Sequence, residues 1–198
     1  VISDPRFREL NVNYVFAVHN LPGFRKGDII LSENTFASAS GGIILKLKGK
    51  TSHAAEPEYG INPASAVAEI IQNLTGISYR KEQFHDFVLI TIIHILLGKK
   101  AFGTSPGYAE LMATFRSYRD DDMQLLVEKA VSEISRIAGE ERLSYEIVRT
   151  EEFPALHNNQ KLVGLVREVA ERLGYRVIEN TRPFRWSEDF AHFTAKYP

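Results

Sequence analysis

Apolar and polar residues alternate along three stretches of this chain, and apolar residues recur at helical spacing between them. Ile43, Leu45 and Leu47 alternate with Lys46, Lys48 and Lys50, which predicts a strand with one solvated face. Asn62 can cap a helix with Pro63 at its first position, where a missing N–H is harmless. Ala64, Val67, Ala68, Ile71 and Leu74 follow at helical spacing, and Gly76 reads as the stop. Phe87 to Leu97 is apolar on both faces and reads as a central strand. After a turn over Gly103–Gly107, Ala109, Leu111, Ala113 and Phe115 alternate with Glu110, Met112, Thr114 and Arg116. Asp120, Asp121 and Asp122 open a second helix with Leu126, Ala130, Ile134 and Ile137 on one face, ended by Gly139. Leu143 to Thr150 alternates again. The predicted order is β-α-β-β-α-β, a ferredoxin-like arrangement with both helices on one face, the lysine-bearing face open and an edge strand free for pairing.

The flanks read differently. Tyr14–Val18 is a short apolar run expected to form a buried strand, ended by the turn residues His19 to Gly23. Asp28–Leu31 is a second short strand. Ser38 to Gly42 is small and flexible in composition, and a domain boundary is expected there. Beyond Thr150, Asn158 or Asn159 can cap a helix with Leu162, Val163, Leu165, Val166, Val169 and Leu173 on its buried side, stopped by Gly174. Arg176–Glu179 reads as a strand, and Ser187 as the N-cap of a last short helix. The expectation is an α/β domain formed by residues 1–40 and 151–198, interrupted by an inserted domain over 41–150. The overall class is α/β with an α+β insert.

Composition narrows the function classes. At 198 residues, 44% hydrophobic and 25% charged, the chain can bury a sizeable core. A net charge of -1 gives no reason to expect nucleic acid or a membrane surface as partner. The absence of cysteine removes thiolate metal ligands and disulfides, and fits a reducing, cytoplasmic setting. No apolar run approaches the roughly 20 residues of a membrane span. The chain starts at Val1 and stops at Pro198 close to predicted elements, so it reads as an internal fragment.

Few residues can carry chemistry. His19 stands where a predicted strand ends, the edge of an α/β sheet at which ligands gather, or is a turn histidine. His53 lies on a loop between a strand and a helix start, either as a functional side chain or as a solvated one. Arg116 projects from the solvated face of its strand, as a surface charge or as a bidentate clamp for a carboxylate. Glu188 and Asp189 read first as helix N-terminal acids, with a metal or proton-transfer role second. His94 reads as a sheet-face histidine, His157 as a loop and capping residue, and His85 and His192 carry no signal. A zinc site needs about three or four protein ligands, and His19 has no companions in the sequence pattern. No phosphate loop or Ser/His/Asp set is present.

Four blocks together resemble a known family. Val18-His19-Asn20-Leu21-Pro22-Gly23 with Gly27-Asp28-Ile29, and Gly49-Lys50-Thr51-Ser52-His53-Ala54-Ala55-Glu56-Pro57 with Gly60-Ile61-Asn62-Pro63, are similar to consecutive blocks of the di-zinc amidohydrolases and metallopeptidases. Thr114-Phe115-Arg116-Ser117-Tyr118 and Ser187-Glu188-Asp189-Phe190-Ala191 are similar to two later blocks of that family. The resemblance, which includes hippurate hydrolase and auxin-conjugate hydrolases, implies an α/β catalytic domain with a lid that forms a homodimer. It implies His19 as a metal ligand, and His53 as an oxyanion donor presented by the lid, usually to the partner subunit. It implies Arg116 as the substrate-carboxylate ligand, and two divalent ions, zinc or else manganese or cobalt. The substrates it implies are N-acyl amino acids or short peptides. The family's Cys/His block, bridging acid and Glu-Glu pair have no match here, nor does its last histidine ligand. On that ground the segment alone is expected to be inactive. Gly103 stands where the family often has asparagine, and Trp186 where it has a small residue. The alternative is a non-catalytic dimerisation or ligand-binding module.

Overall fold

The computed structural model describes residues 1–197 and is of mixed α/β class. In chain order its first half holds α1 (Pro5–Glu9), β1 (Ile29–Leu31), β2 (Thr35–Ala37), β3 (Ala39–Lys48), β4 (Ser52–His53), α2 (Ala64–Tyr79) and β5 (Val88–Leu97). There follow β6 (Thr104–Ser105), β7 (Tyr108–Ser117), α3 (Asp120–Glu140), β8 (Ser144–Phe153), β9 (Leu156–His157), α4 (Gln160–Arg172), β10 (Val177–Glu179) and α5 (Ala191–Lys196). The chain divides into two compact units, Ser40–Glu152 and the pair Val1–Ala39 with Phe153–Pro198. Among the described residues, no helix is long and apolar enough to cross a membrane.

The unit Ser40–Glu152 is built on a four-stranded sheet of order β5-β7-β3-β8. Along β7, buried and half-buried residues alternate without a break, as the period-two pattern predicts. Its buried residues Ala109, Leu111, Ala113 and Phe115 join Ile43, Leu45 and Leu47 of β3 in one core. Two helices complete that core, α2 with Ile70 and Leu74 and α3 with Leu126, Ala130, Ile134 and Ile137. The other face carries Lys46 and Lys48, both within ion-pair reach of Glu146.

Three expectations fail here for identifiable reasons. The strand read as central over Phe87–Leu97 is β5, an edge strand that, among the described residues, pairs antiparallel with β7 alone. Its apolar residues Ile93, Ile95, Leu96 and Leu97 are exposed, so two-faced apolarity here does not reflect two-faced burial. Gly76 does not stop α2, which runs on to Tyr79 because Leu74 and Ile77 are held in the core. The division between the two units falls within Ser38–Gly42, after Ala39, in packed and not loose chain. Ser38, Ala39 and Ser40 are buried and β3 already begins at Ala39. Gly139 lies inside the last turn of α3, which extends to Glu140.

Asn62 still serves the start of α2, accepting the Ala64 N–H at 2.9 Å, although the helix begins one residue later than Pro63. Asp122 leaves the acidic helix start to do something else. It is 1% exposed and accepts the backbone N–H groups of His85 and Asp86, tying the entry to β5 onto α3.

In the other unit, β1 pairs in parallel with β10 and β2 pairs antiparallel with β9. Asn159 caps α4, its side chain accepting from Lys161 N and Leu162 N. Gly174, at φ 77°, takes the left-handed conformation that ends the helix. Leu165 and Leu173, expected on the buried side, are exposed, while Val163 and Ala170 are buried. Tyr14–Val18 is not a buried strand. No described strand lies beside it, and Tyr14, Phe16 and Val18 are exposed. Ser187 does not cap the last helix, which starts at Ala191 after a turn in which Ala191 N–H bonds the Glu188 carbonyl.

Candidate active site

The His53 loop is fixed by backbone contacts. Ser52 and His53 form the two-residue strand β4, paired antiparallel with Ser105 and Thr104 of β6. Gly49 N–H bonds the Gly107 carbonyl at 2.8 Å, Lys50 and Ile61 exchange a reciprocal pair of bonds, and Ala54 N–H bonds the Gly103 carbonyl. Gly49 and Gly107 are required by this crowding. A Cβ on Gly49 would run into the Ile61 carbonyl oxygen, and one on Gly107 into the Thr51 nitrogen. These contacts were not visible in the sequence pattern, although two glycines flanking short polar runs are the signal that marks them.

His53 itself is exposed, and its Nδ1 accepts the Ala55 backbone N–H at 3.1 Å. A backbone N–H can only donate, so Nδ1 carries the lone pair and the ring proton sits on Nε2. The loop therefore presents an outward-facing N–H donor in one tautomer.

Arg116 is half-buried on the face of β7 opposite the helices and pairs across the strand with Leu89. At the other end of the same face, burial followed by the neighbouring Glu110 carboxylate raises the Tyr108 phenol above its ordinary value. His53 and Arg116 belong to the same unit but are not brought together. The β5–β7 hairpin closes near Ala109, beside the His53 loop, and Arg116 lies seven residues further along β7, roughly 23 Å at strand rise.

His19 lies in the other unit. Its Nε2 is in direct contact with Oε2 of Glu188, and its ring meets Trp186 edge-on at 5.5 Å between centroids. Trp186 stacks on Phe184 at 5.0 Å and touches Phe36. The backbone of this segment is anchored on the buried Ser38, whose N–H reaches the carbonyls of both Phe184 and Trp186. His19 and Glu188 also line a cavity of about 790 Å³, with His157, Lys161 and Phe36 on its wall. What the sequence reading missed is the pairing: Glu188 reads there first as a helix acid and second as a metal or proton-transfer residue, and 169 positions separate it from His19.

The imidazole of His19 is an N donor of the type that zinc-like ions take and fits as one member of a site that needs three or four, with the Glu188 carboxylate against one ring nitrogen. Among the described residues, the group of three whose ligand atoms approach one another is elsewhere, at His85, Asp121 and Asp122. There the carboxylates are already engaged. Asp122 holds backbone N–H groups, and Asp121 makes a two-point pair with Arg119 at 2.9 and 2.6 Å. That guanidinium lowers Asp121 from 3.8 to about 2.

Residues 2–198 match the peptidase family M20/M25/M40, and the chain belongs to that family. It is 25% identical over 187 residues to the N-acetylcysteine deacetylase of Bacillus subtilis, covering 94% of this chain and 49% of the relative. It is 27% identical over 195 residues to the hippurate hydrolase of Campylobacter jejuni, covering 98% of this chain and 51% of that enzyme. The chain thus spans about half the length of the curated relatives it matches. Its fold is shared with the crystal structure of a dinuclear metal-binding M20 peptidase from Bacillus subtilis. The TM-score is 0.71 at 22% identity, over 91% of this chain and 44% of that one.

Proposed function

We propose that this chain is part of a metal-dependent amidohydrolase or peptidase that hydrolyses the amide bond of N-acyl amino acids or short peptides. Family membership supports the reaction class, and the names of the relatives, which act on N-acetylcysteine and hippurate, support the substrate class. The observation that carries the reading is His53, exposed, with Nδ1 anchored by Ala55 and Nε2–H left to donate.

In this reading the unit Ser40–Glu152 is a ferredoxin-like lid, a view supported by its sheet order and by the two helices packed on one face. His53 donates Nε2–H to the scissile carbonyl as negative charge develops there, a contribution of roughly 3–4 kcal/mol to the transition state. Arg116 pairs its guanidinium with the substrate carboxylate. His19 supplies one nitrogen ligand to a pair of divalent ions, with zinc proposed and manganese or cobalt as alternatives. When bound, such ions supply a water of lowered pKa as nucleophile. The other ligands and the glutamate general base belong to residues outside these 198, so the segment alone is inactive.

The same reading assigns a homodimer. His53 on β4 lies beside the start of β7 and Arg116 near its far end, too far apart to serve one substrate from one chain, which supports their coming from two. The uncharged strand β5, with Ile93, Ile95, Leu96 and Leu97 exposed on a sheet edge, supports pairing through the lid. The opposite edge, β8, carries Glu146, Arg149, Glu151 and Glu152, which discourage such pairing.

The test is hydrolysis of a panel of N-acyl amino acids by the full-length gene product, before and after chelation and after readdition of zinc, manganese or cobalt. Metal-dependent turnover is expected. A dimeric protein that binds no divalent ion and turns nothing over would instead be a dimerisation or ligand-binding module.

A further inference from the structure

We propose that Glu188 is a positioning residue for His19, holding one ring nitrogen so that the other faces the metal. The proposal rests on the reading of His19 as a ligand given above. Glu188 touches Nε2 of His19, and its side chain is only 13% exposed against 41% for His19. An ionised carboxylate only accepts hydrogen bonds, so the nitrogen it touches carries the proton and Nδ1 carries the lone pair. Metal-binding histidines commonly have a carboxylate on the second nitrogen, which fixes tautomer and ring plane and strengthens the ligand.

Two further contacts make this a built arrangement. Trp186 closes one side of the imidazole edge-on, which opposes rotation about the Cβ–Cγ bond. The backbone that carries Trp186 and leads to Glu188 is pinned by Ser38, whose hydroxyl donates to the Phe184 carbonyl at 2.9 Å and whose N–H reaches Phe184 and Trp186. Ser38 is fully buried, so the anchor is rigid. Indole stacking on Phe184 and contact with Phe36 hold the tryptophan in place. Glu188 thus reaches His19 from a fixed base and not from a mobile tail.

The experiment uses the full-length gene product loaded with zinc or cobalt, with metal stoichiometry, chelator-competition affinity and the histidine ring-nitrogen NMR pattern as readouts. Glu188→Ala is expected to weaken metal binding roughly 10–100-fold. Glu188→Gln is expected to keep most of the affinity, because its amide oxygen still accepts from Nε2–H. In the wild type, His19 should show a protonated Nε2 and a metal-bound Nδ1. The inference falls if His19→Ala loses an ion while Glu188→Ala binds within twofold of wild type, a result that leaves the reading of His19 intact. It falls as well if Glu188→Gln loses metal as completely as Glu188→Ala, since Glu188 would then be a ligand itself. Retention of both ions by His19→Ala overturns the reading of His19 and this inference together. Should Glu188→Ala fail to fold, the isosteric Glu188→Gln and the wild-type ring-nitrogen pattern decide.

Discussion

The backbone N–H of Ala55 donates to Nδ1 of His53 at 3.1 Å, so a loop amide two residues away chooses the imidazole tautomer. A chosen tautomer is what a neutral hydrogen-bond donor needs, because the opposite one would present a lone pair to a carbonyl oxygen. His53→Ala in the full-length gene product is expected to lower kcat by roughly 10²–10³, the cost of one oxyanion donor. Metal content and circular dichroism should not change. Near-normal turnover in this variant would sink the assignment.

The separation of His53, on β4, from Arg116, near the far end of β7, makes a mixing experiment decisive. His53→Ala and Arg116→Ala proteins, each inactive alone, are unfolded together and refolded. If the two residues act on one substrate from different chains, each mixed dimer regains one intact site. Random pairing then restores about a quarter of the wild-type activity. A mixture that stays inactive while mixed dimers form shows that both residues act from one chain.

Gly107 has no room for a side chain, since a Cβ there would press on Thr51 N and the Lys50 carbonyl carbon. Gly107→Ala should cost about 1–3 kcal/mol, as overpacking does. Because the strain falls beside His53, kcat should drop as well. Urea denaturation and steady-state kinetics on the same preparation check both, and an unchanged midpoint would show that the loop yields freely.

The Arg119–Asp121 pair gives a pH signature. Asp121 is depressed from 3.8 to about 2, first by hydrogen bonds from Arg119, so its contribution to stability is complete above 3.8. It is lost as pH falls through about 2. Asp121→Asn should therefore be less stable than wild type near neutrality, with the gap closing between those values. Salt should narrow the gap because the pair is exposed. Thermal melts of both proteins across that range provide the measurement, and a gap independent of pH contradicts the assignment.

Ile134 is fully buried between α3 and the sheet. Ile134→Ala should destabilise by about 2–5 kcal/mol, through lost burial and an unfilled cavity. An effect below about 1 kcal/mol, read from denaturant midpoints, would mean that the core relaxes around the site.

Much of the unit Ser40–Glu152 was legible in sequence because its strands have one wet face, and period-two alternation reports that directly. Leu111, Ala113 and Phe115 are buried where the pattern puts them. The pattern misreads β5 because it records which residues are apolar and not how many strands stand beside them. Tyr14–Val18 fails on the same ground: five apolar residues do not make a strand without a hydrogen-bonding neighbour. His19 and His53 were visible as loop histidines next to regular structure. Their partners were not, for different reasons. Glu188 is distant in the chain, and the Ala55 amide belongs to the backbone, which is common to every residue and leaves no mark in a sequence.

The His53 loop is held by backbone against backbone, through Gly49, Gly107, Gly103 and Ile61, while the side chains of residues 54–59 are exposed and bear none of that restraint. Placement of the imidazole and identity of the loop surface are thereby separated. Substitutions over 54–59 can alter what the loop brushes against without moving the imidazole, provided the Ala55 amide is kept. On the proposed function, a scaffold of this kind lets substrate preference drift, or be engineered, in small steps that each leave the imidazole in place.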